Sequence, residues 1–233
     1  MSYFGNDHPI PTGVRSRRPS VNLAAVITAF RSGDPVLIHD DADREGETDL
    51  VYPAREVTPD SVRRLRNDAG GLICVALADR VARAWDLPFL QETLTHPATT
   101  NHRLEYDERS SFSLTVNHRD TYTGITDEDR ALTIATIGAA AESPKAIDFS
   151  TTFRTPGHVH LLRAAPDLLS DRQGHTELGI TLAEIAELPP AVVVSEMLDD
   201  ETGRALAPSA AKAYAARNDL HYVDGEHLIE GLG

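Results

Sequence analysis

The sequence predicts an α/β (α+β) fold, a single layered domain in which helices flank a mixed, twisted β-sheet. Three observations carry that expectation. Short apolar runs alternate with segments of helical periodicity along the chain. Two of the runs, 36–39 and 50–54, stand like hairpin neighbours, which argues for a mixed rather than a purely parallel sheet. No internal repeat or linker divides the 233 residues, a length that one hydrophobic core can serve.

The first residues carry Pro9, Pro11 and Pro19 beside Arg15, Arg17 and Arg18, without the apolar centre of a secretory signal. Residues 1–20 are therefore expected to be a loose tail ahead of one catalytic domain, 21–233. Ser20 can cap a helix to about Arg31, with Leu23, Val26, Ile27 and Phe30 at helical spacing and Gly33 as its stop. Residues 35–39 read as a buried strand running straight into an acidic segment, and 50–54 as the next strand. Thr58-Pro59-Asp60 starts a helix, and Gly70-Gly71 interrupts the chain before a strand at 72–77 and a helix over 78–85. The stretch 89–109 has no period and is long for a loop in a compact domain, which makes it a candidate lid or binding loop. A strand at 111–118 precedes a helix from Thr126 to about Ala141, opened by a capping box with Asp129 in place of Glu. The last third repeats the alternation: strands at 159–163 and 191–196 around a helix at 176–188, then a helix at 209–218 and a strand at 220–223.

Acids outnumber bases 36 to 22, and the formal charge of −14 opposes nonspecific contact with nucleic acid or an anionic membrane. No apolar run approaches the roughly 20 residues of a membrane span. Cys74 is the only cysteine, so neither an internal disulfide nor a Cys-based zinc site can form. A soluble, cytoplasmic protein is expected. Lys145 and Lys212 are the only lysines; this suits a protein adapted to strong salt and equally an acidic protein from a GC-rich genome.

Six carboxylates fall in Asp40-Asp41-Ala42-Asp43-Arg44-Glu45-Gly46-Glu47-Thr48-Asp49. Charges this close repel unless water, a cation or a metal screens them, and hard divalent ions such as magnesium favour carboxylate oxygens. The segment is either a metal site or a solvated acidic loop. It is not an EF-hand: Asp41, Asp43, Glu45 and Gly46 match the opening positions, but Tyr52 stands where a bidentate glutamate must close the cage. The Walker A, Gly-x-Gly-x-x-Gly, Gly-x-Ser-x-Gly and His-Glu-x-x-His patterns are all missing.

A second group, Arg172-Gln173-Gly174-His175-Thr176-Glu177, stands at the mouth of a predicted helix. Backbone N–H groups there, with an arginine, a glycine and a threonine hydroxyl, suit a phosphate. His175 reads equally as a surface capping residue. His158 and His160 would share one face of a strand, as a metal pair or as one core and one exposed histidine. Glu196 ends the run Val192-Val193-Val194 and either points into a cleft or meets solvent.

Taken together and in this order, Asp40-Asp41 through Asp49, Thr123-Gly124-Ile125-Thr126, Pro156-Gly157-His158-Val159, Gly174-His175-Thr176-Glu177 and Ser195-Glu196 resemble the 3,4-dihydroxy-2-butanone 4-phosphate synthases of riboflavin biosynthesis. The resemblance spans about residues 21–230, and Arg-Glu-Gly-Glu-Thr-Asp looks like the archaeal wording. With the chain ending at Gly233, it implies a monofunctional enzyme without a fused GTP cyclohydrolase II domain. The implied reaction converts D-ribulose 5-phosphate to formate and L-3,4-dihydroxy-2-butanone 4-phosphate by metal-assisted enolisation and skeletal rearrangement. The implied cofactor is Mg2+ or Mn2+, two ions per site, in a homodimer with active sites near its interface.

The resemblance further implies Glu45 and His175 as metal ligands, Arg44 and Asp49 on the sugar, and Arg172, Gly174, Thr176 and Thr123 on the phosphate. Gln173, Glu45, His175 and Glu196 complete the substrate contacts. His158 and Glu196 match positions essential for activity, and Glu47 and Asp43 are further acid/base groups. Carboxylates, histidine and a divalent Lewis acid fit a reaction that removes a proton next to a carbonyl and stabilises an enediolate. Gly46 and Thr48 replace the Asn and Gly of the commoner bacterial pattern, and His160 stands where Phe is usual. Cys74 matches a cysteine near the site in relatives, or is a small buried apolar residue. Two other readings stay open: another metal-dependent lyase or isomerase of a sugar phosphate, and a noncatalytic acidic or metal-binding scaffold.

Overall fold

The computed structural model describes residues 22–40, 45–99 and 109–230. The expected tail, the Ser20 cap, Asp43, Arg44 and the middle of the 89–109 stretch lie outside the described residues.

Helix α1 (Leu23–Arg31) is capped by Asn22, whose side chain accepts the Ala25 N–H, and it buries Val26 and Phe30. Strands β1 (Val36–His39) and β2 (Thr48–Pro53) form an antiparallel hairpin with His39 opposite Thr48. The acidic run therefore spans the connection of that hairpin and ends inside β2, with Asp49 paired to Ile38. Helix α2 (Pro59–Arg64) opens with a reciprocal Thr58–Ser61 capping box and runs through a π turn to Gly70, which takes φ +86°. Strand β3 (Cys74–Leu77), helix α3 (Asp79–Ala84), the single turn α4 (Leu90–Thr93) and strand β4 (Phe112–His118) follow.

Helix α5 (Asp127–Ala140) is capped by Thr126, which accepts the Asp129 N–H, but the expected capping box is only half made. Asp129 is one methylene shorter than Glu, and its carboxylate instead collects the N–H groups of Tyr122, Thr123 and Gly124. The turn α6 (Phe149–Thr152) leads into β5 (Phe153–Arg163), which begins well before the expected residue 159. Pro156 and Gly157 lie within it, where the β4–β5 register jumps from Val116↔Val159 to Asn117↔Arg154. Helix α7 (His175–Ile185), strand β6 (Ala191–Glu196), helix α8 (Pro208–Arg217), strand β7 (His221–Asp224) and an unforeseen helix α9 (Gly225–Glu230) complete the described elements.

The strands form one seven-stranded sheet in the order β4-β5-β3-β6-β2-β1-β7, parallel at β1/β7 and β3/β5 and antiparallel elsewhere. This is the mixed α/β sheet expected from the hairpin spacing. Its central strands are buried on both faces: Leu37, Ile38, Leu50, Val75 and Val193 have no exposed surface. Each such side chain contributes about 1.5–3 kcal/mol by leaving water. Helix α7 packs on the face carrying Val51 and Val192, where a Cβ at Gly179 would lie 2.8 Å from Val192 Cγ2. Glycine there sets how closely the helix approaches the sheet. Among the described residues no helix is long and apolar enough to cross a membrane.

Candidate active site

The strand directions gather the chemistry at one end of the sheet. β1 ends where its antiparallel partner β2 begins, β6 ends beside the start of β2 with Glu196 opposite Asp49, and β3 starts beside β6 with Cys74 opposite Val194. The first turn of α7 stands over the same end and completes a cavity of about 130 Å³ lined in part by Glu45, Asp49, Cys74, Arg172, His175, Thr176 and Glu196.

Asp40, which sequence reasoning did not single out from its acidic neighbours, shapes the loop. It is 2% exposed, and its two carboxylate oxygens accept the N–H groups of Glu45 (3.2 Å) and Glu47 (3.0 Å) while its own N–H donates to the Glu47 carbonyl (3.2 Å). The available signal was its place as the first carboxylate after an apolar strand. This closure turns Glu45 and Glu47 toward α7. His175, buried on the helix, donates Nε2–H to the Glu47 carbonyl at 3.3 Å. Its Nδ1 faces Glu45 Oε2 at 3.5 Å and Asp49 Oδ2 at 3.8 Å. The reading of His175 as a surface cap is thereby excluded.

Crowding displaces the titrations. Burial alone would lower the His175 pKa, but Asp49, Glu45 and Asp40 outweigh it and push the imidazole up to about 10. Burial raises Asp49 to about 7, with His175 opposing and Glu196, Glu45 and Glu47 adding to the rise. Glu47 is also raised, first by burial and then by Glu45 and Glu196.

Ligand atoms of Asp40, Glu45 and His175 lie within 4.8 Å of one another, and Asp49 Oδ1 is buried without a hydrogen-bond partner. An oxygen-rich set with one imidazole and an orphaned carboxylate oxygen fits a hard divalent cation.

At the mouth of α7, Gly174 is the N-cap and supplies no side-chain cap. Arg172 crosses this mouth with 15% of its side chain exposed, and Thr176 is buried beside it. Gln173 is exposed, donates to the Leu169 carbonyl at 3.4 Å and does not line the cavity. Glu196 is held by backbone: its Oε2 accepts the Leu72 N–H at 3.0 Å, and its carbonyl accepts the Gly71 N–H at 3.0 Å. Gly70-Gly71, which the sequence offered only as punctuation, thus packs against this carboxylate.

Thr123 and His158 form a separate, exposed group that does not line the cavity. Asn117 links them: its Oδ1 accepts the His158 N–H at 2.8 Å, its amide meets His158 Nδ1 at 3.1 Å and also donates to the Thr123 carbonyl at 3.5 Å. The two histidines of β5 are one exposed and one half-buried residue. His160 stands opposite Cys74 in the sheet, stacks edge-on with Phe112 and keeps a buried, unpartnered Nδ1. Cys74 is a buried thiol whose pKa is pushed well up by burial.

Fold and site together define an α/β enzyme that assembles carboxylates, one histidine and one arginine around a small cavity at one end of the sheet. Residues 24–231 match the 3,4-dihydroxy-2-butanone 4-phosphate synthase family, and the chain belongs to that family. The synthase of Archaeoglobus fulgidus is 48% identical over 216 residues, covering 88% of this chain and 91% of the relative. That of Methanosarcina mazei is 45% identical over 222 residues, 90% of each chain. A solved structure of 3,4-dihydroxy-2-butanone 4-phosphate synthase in complex with two magnesium ions superposes with a TM-score of 0.73 at 31% identity, covering 90% of this chain and 95% of that one.

Proposed function

We propose that this chain converts D-ribulose 5-phosphate to formate and L-3,4-dihydroxy-2-butanone 4-phosphate in riboflavin biosynthesis. The observation that carries the reading is the buried His175 among Asp40, Glu45 and Asp49, beside Arg172 at the start of α7, in a chain of this family.

Arg172, Gly174 and Thr176 bind the phosphate through guanidinium, backbone N–H and hydroxyl, with Gln173 at the rim. Arg44 and Asp49 hold the sugar. Glu45 and His175 would hold two divalent ions, magnesium or manganese, which when bound supply Lewis acidity toward the sugar oxygens; the solved relative with two magnesium ions supports this. Glu47 exchanges the proton at the carbon next to the carbonyl, because its raised pKa brings it nearer to neutrality, where a carboxylate both takes and returns protons. Asp43 assists. Glu196 is fixed by the Leu72 N–H at 3.0 Å to accept hydrogen bonds from the rearranging hydroxyls.

His158 and Thr123 enter through a homodimer. Both are exposed outside the cavity, and Tyr122 at 94% and Ile125 at 50% exposure flank Thr123 along the chain. A second copy covering this apolar surface buries it and brings His158 and Thr123 to its neighbour's cavity. The catalytic domain is 21–233, and the enzyme works in the cytoplasm.

Incubation with ribulose 5-phosphate and magnesium, followed by proton NMR, tests the reading. Formate appears and is abolished by EDTA. Substrate turnover without formate would instead mark another sugar-phosphate lyase or isomerase using the same ligands. No turnover would leave the scaffold reading.

A further inference from the structure

We propose that Glu177 is a positioning residue for phosphate recognition: without touching substrate, it holds the Arg172 guanidinium across the mouth of α7. The proposal rests on the reading of Arg172 as a phosphate contact.

Glu177 is the third residue of α7, where a capping-box glutamate would turn back to its own N-cap. It turns inward instead and has no exposed surface. Its Oε2 accepts from Arg172 Nη1 at 2.7 Å, and its Oε1 accepts the Ala165 N–H at 2.9 Å. Ala165 is the second residue beyond β5, and the preceding Ala164 N–H donates to the Leu77 carbonyl of β3 at 2.9 Å. One carboxylate therefore ties the guanidinium to the frame of the sheet.

Glycine leaves room for the same end of the guanidinium, since a Cβ at Gly174 would come nearest to Nη1, the nitrogen that bonds Glu177. A Cβ at Gly174 would lie 2.8 Å from Arg172 Cζ, so the arginine fills space that any other side chain there would occupy. Arg172 Nη2 also lies 3.7 Å from Glu45 Oε1. Without Glu177, Glu45 would draw the guanidinium toward the acidic loop and away from the helix mouth.

A largely buried ion pair is weak evidence of stabilisation in itself, since desolvation offsets most of the attraction. Holding a rotamer-rich arginine in place before the anion arrives does help binding, because less side-chain freedom is lost when the complex forms. Both Glu177 oxygens are committed, to one backbone donor and one guanidinium, as that role requires.

The test compares the wild type with Glu177→Gln, Glu177→Asp, Arg172→Ala and the Arg172→Ala/Glu177→Gln double variant, all magnesium-loaded. It reads kcat, KM for ribulose 5-phosphate, the inhibition constant of inorganic phosphate, and magnesium affinity by calorimetry. In Glu177→Gln the amide NH2 faces a donor on one side, and KM and the phosphate inhibition constant rise about tenfold, as the loss of one charge-assisted hydrogen bond predicts. Magnesium affinity and kcat stay within about twofold, the pattern of lost uniform binding. In the Arg172→Ala background the second change adds nothing.

An unchanged phosphate constant in folded Glu177→Gln, a fall in kcat at unchanged KM, or full additivity in the double variant overturns the proposal. If Arg172→Ala weakens phosphate while Glu177→Gln does not, positioning alone fails. If Arg172→Ala leaves phosphate inhibition untouched, the phosphate reading of Arg172 fails and the proposal with it. Should Glu177→Gln not fold, Glu177→Asp decides: the shortened carboxylate cannot span both partners, so the phosphate constant rises about threefold, and a wild-type value refutes the idea.

Discussion

Replacing Gly71 with alanine should separate the placement of Glu196 from every other property of the site. Gly71 is not among the residues at positive φ, so alanine meets no backbone penalty there. Its Cβ would fall 2.5 Å from both the carbonyl oxygen and Oε2 of Glu196, and 2.8 Å from its nitrogen. Ordinary contact begins at 3.4 Å, so the end of β6 or the Gly70-Gly71 turn must give by about 0.9 Å, that is 3.4 − 2.5. Overpacking of this kind costs about 1–3 kcal/mol, and in a chain of this size lowers Tm by about 3–10 °C. A displacement near 1 Å of a group that must meet the reacting atoms lowers kcat by up to about 100-fold. Differential scanning fluorimetry and the formate assay read the two effects. Gly203→Ala is the control: nothing lies within 4 Å of its Cβ, but φ is +67°, so it loses about 1 kcal/mol of stability and no activity. A Gly71→Ala enzyme with wild-type Tm and kcat would refute the claim that this glycine sets the position of Glu196.

Further consequences are open to measurement. His175, pushed up to about 10, is protonated at neutral pH before metal binds, whereas a ligand imidazole must be neutral. Magnesium binding should therefore release about one proton per site and strengthen as pH rises from 7 toward 9, as calorimetry in buffers of different ionisation enthalpy will report. The same raised pKa means that protonated His175 stabilises the metal-free fold fully below pH 6.5, and that this contribution is lost as pH climbs through about 10. Tyr122→Asp, on the most exposed of the apolar side chains, should shift sedimentation from dimer to monomer and lower formate production with it. Thr126→Ala removes the cap of α5 and should cost about 1 kcal/mol in urea unfolding at unchanged slope.

What the sequence revealed, it revealed through pattern. The apolar runs 36–39 and 191–196 became β1 and β6 because uninterrupted Val, Leu and Ile suit a sheet buried on both faces. His175 and Glu45 could be paired across their separation in sequence only through the resemblance to known synthases, since no local period links a hairpin loop to a helix start. Asp40 escaped because its neighbours carry the same charge, and only geometry shows which carboxylate turns inward to accept backbone N–H groups. The half-made box at Thr126 shows the reverse failure: the local motif was there, but three N–H groups of the preceding turn competed for Asp129. Glu177 was legible as part of a motif, while its inward turn toward Arg172 and Ala165 depends on where β5 ends.

The strand order also governs when such a site can come into being. β6 lies between β3 on one side and β2 on the other, so it is the seam joining the β4-β5-β3 unit to the β1–β2 hairpin. During synthesis both flanking units leave the ribosome before Ala191–Glu196 does. Until that segment inserts, Asp49 lacks its cross-strand neighbour Glu196, and the Gly71 and Leu72 N–H groups lack their acceptors. Long-range pairings of this kind are slow to form. A nascent chain halted before residue 191 would carry the acidic hairpin and the α7 histidine, but no closed cavity in which they could act.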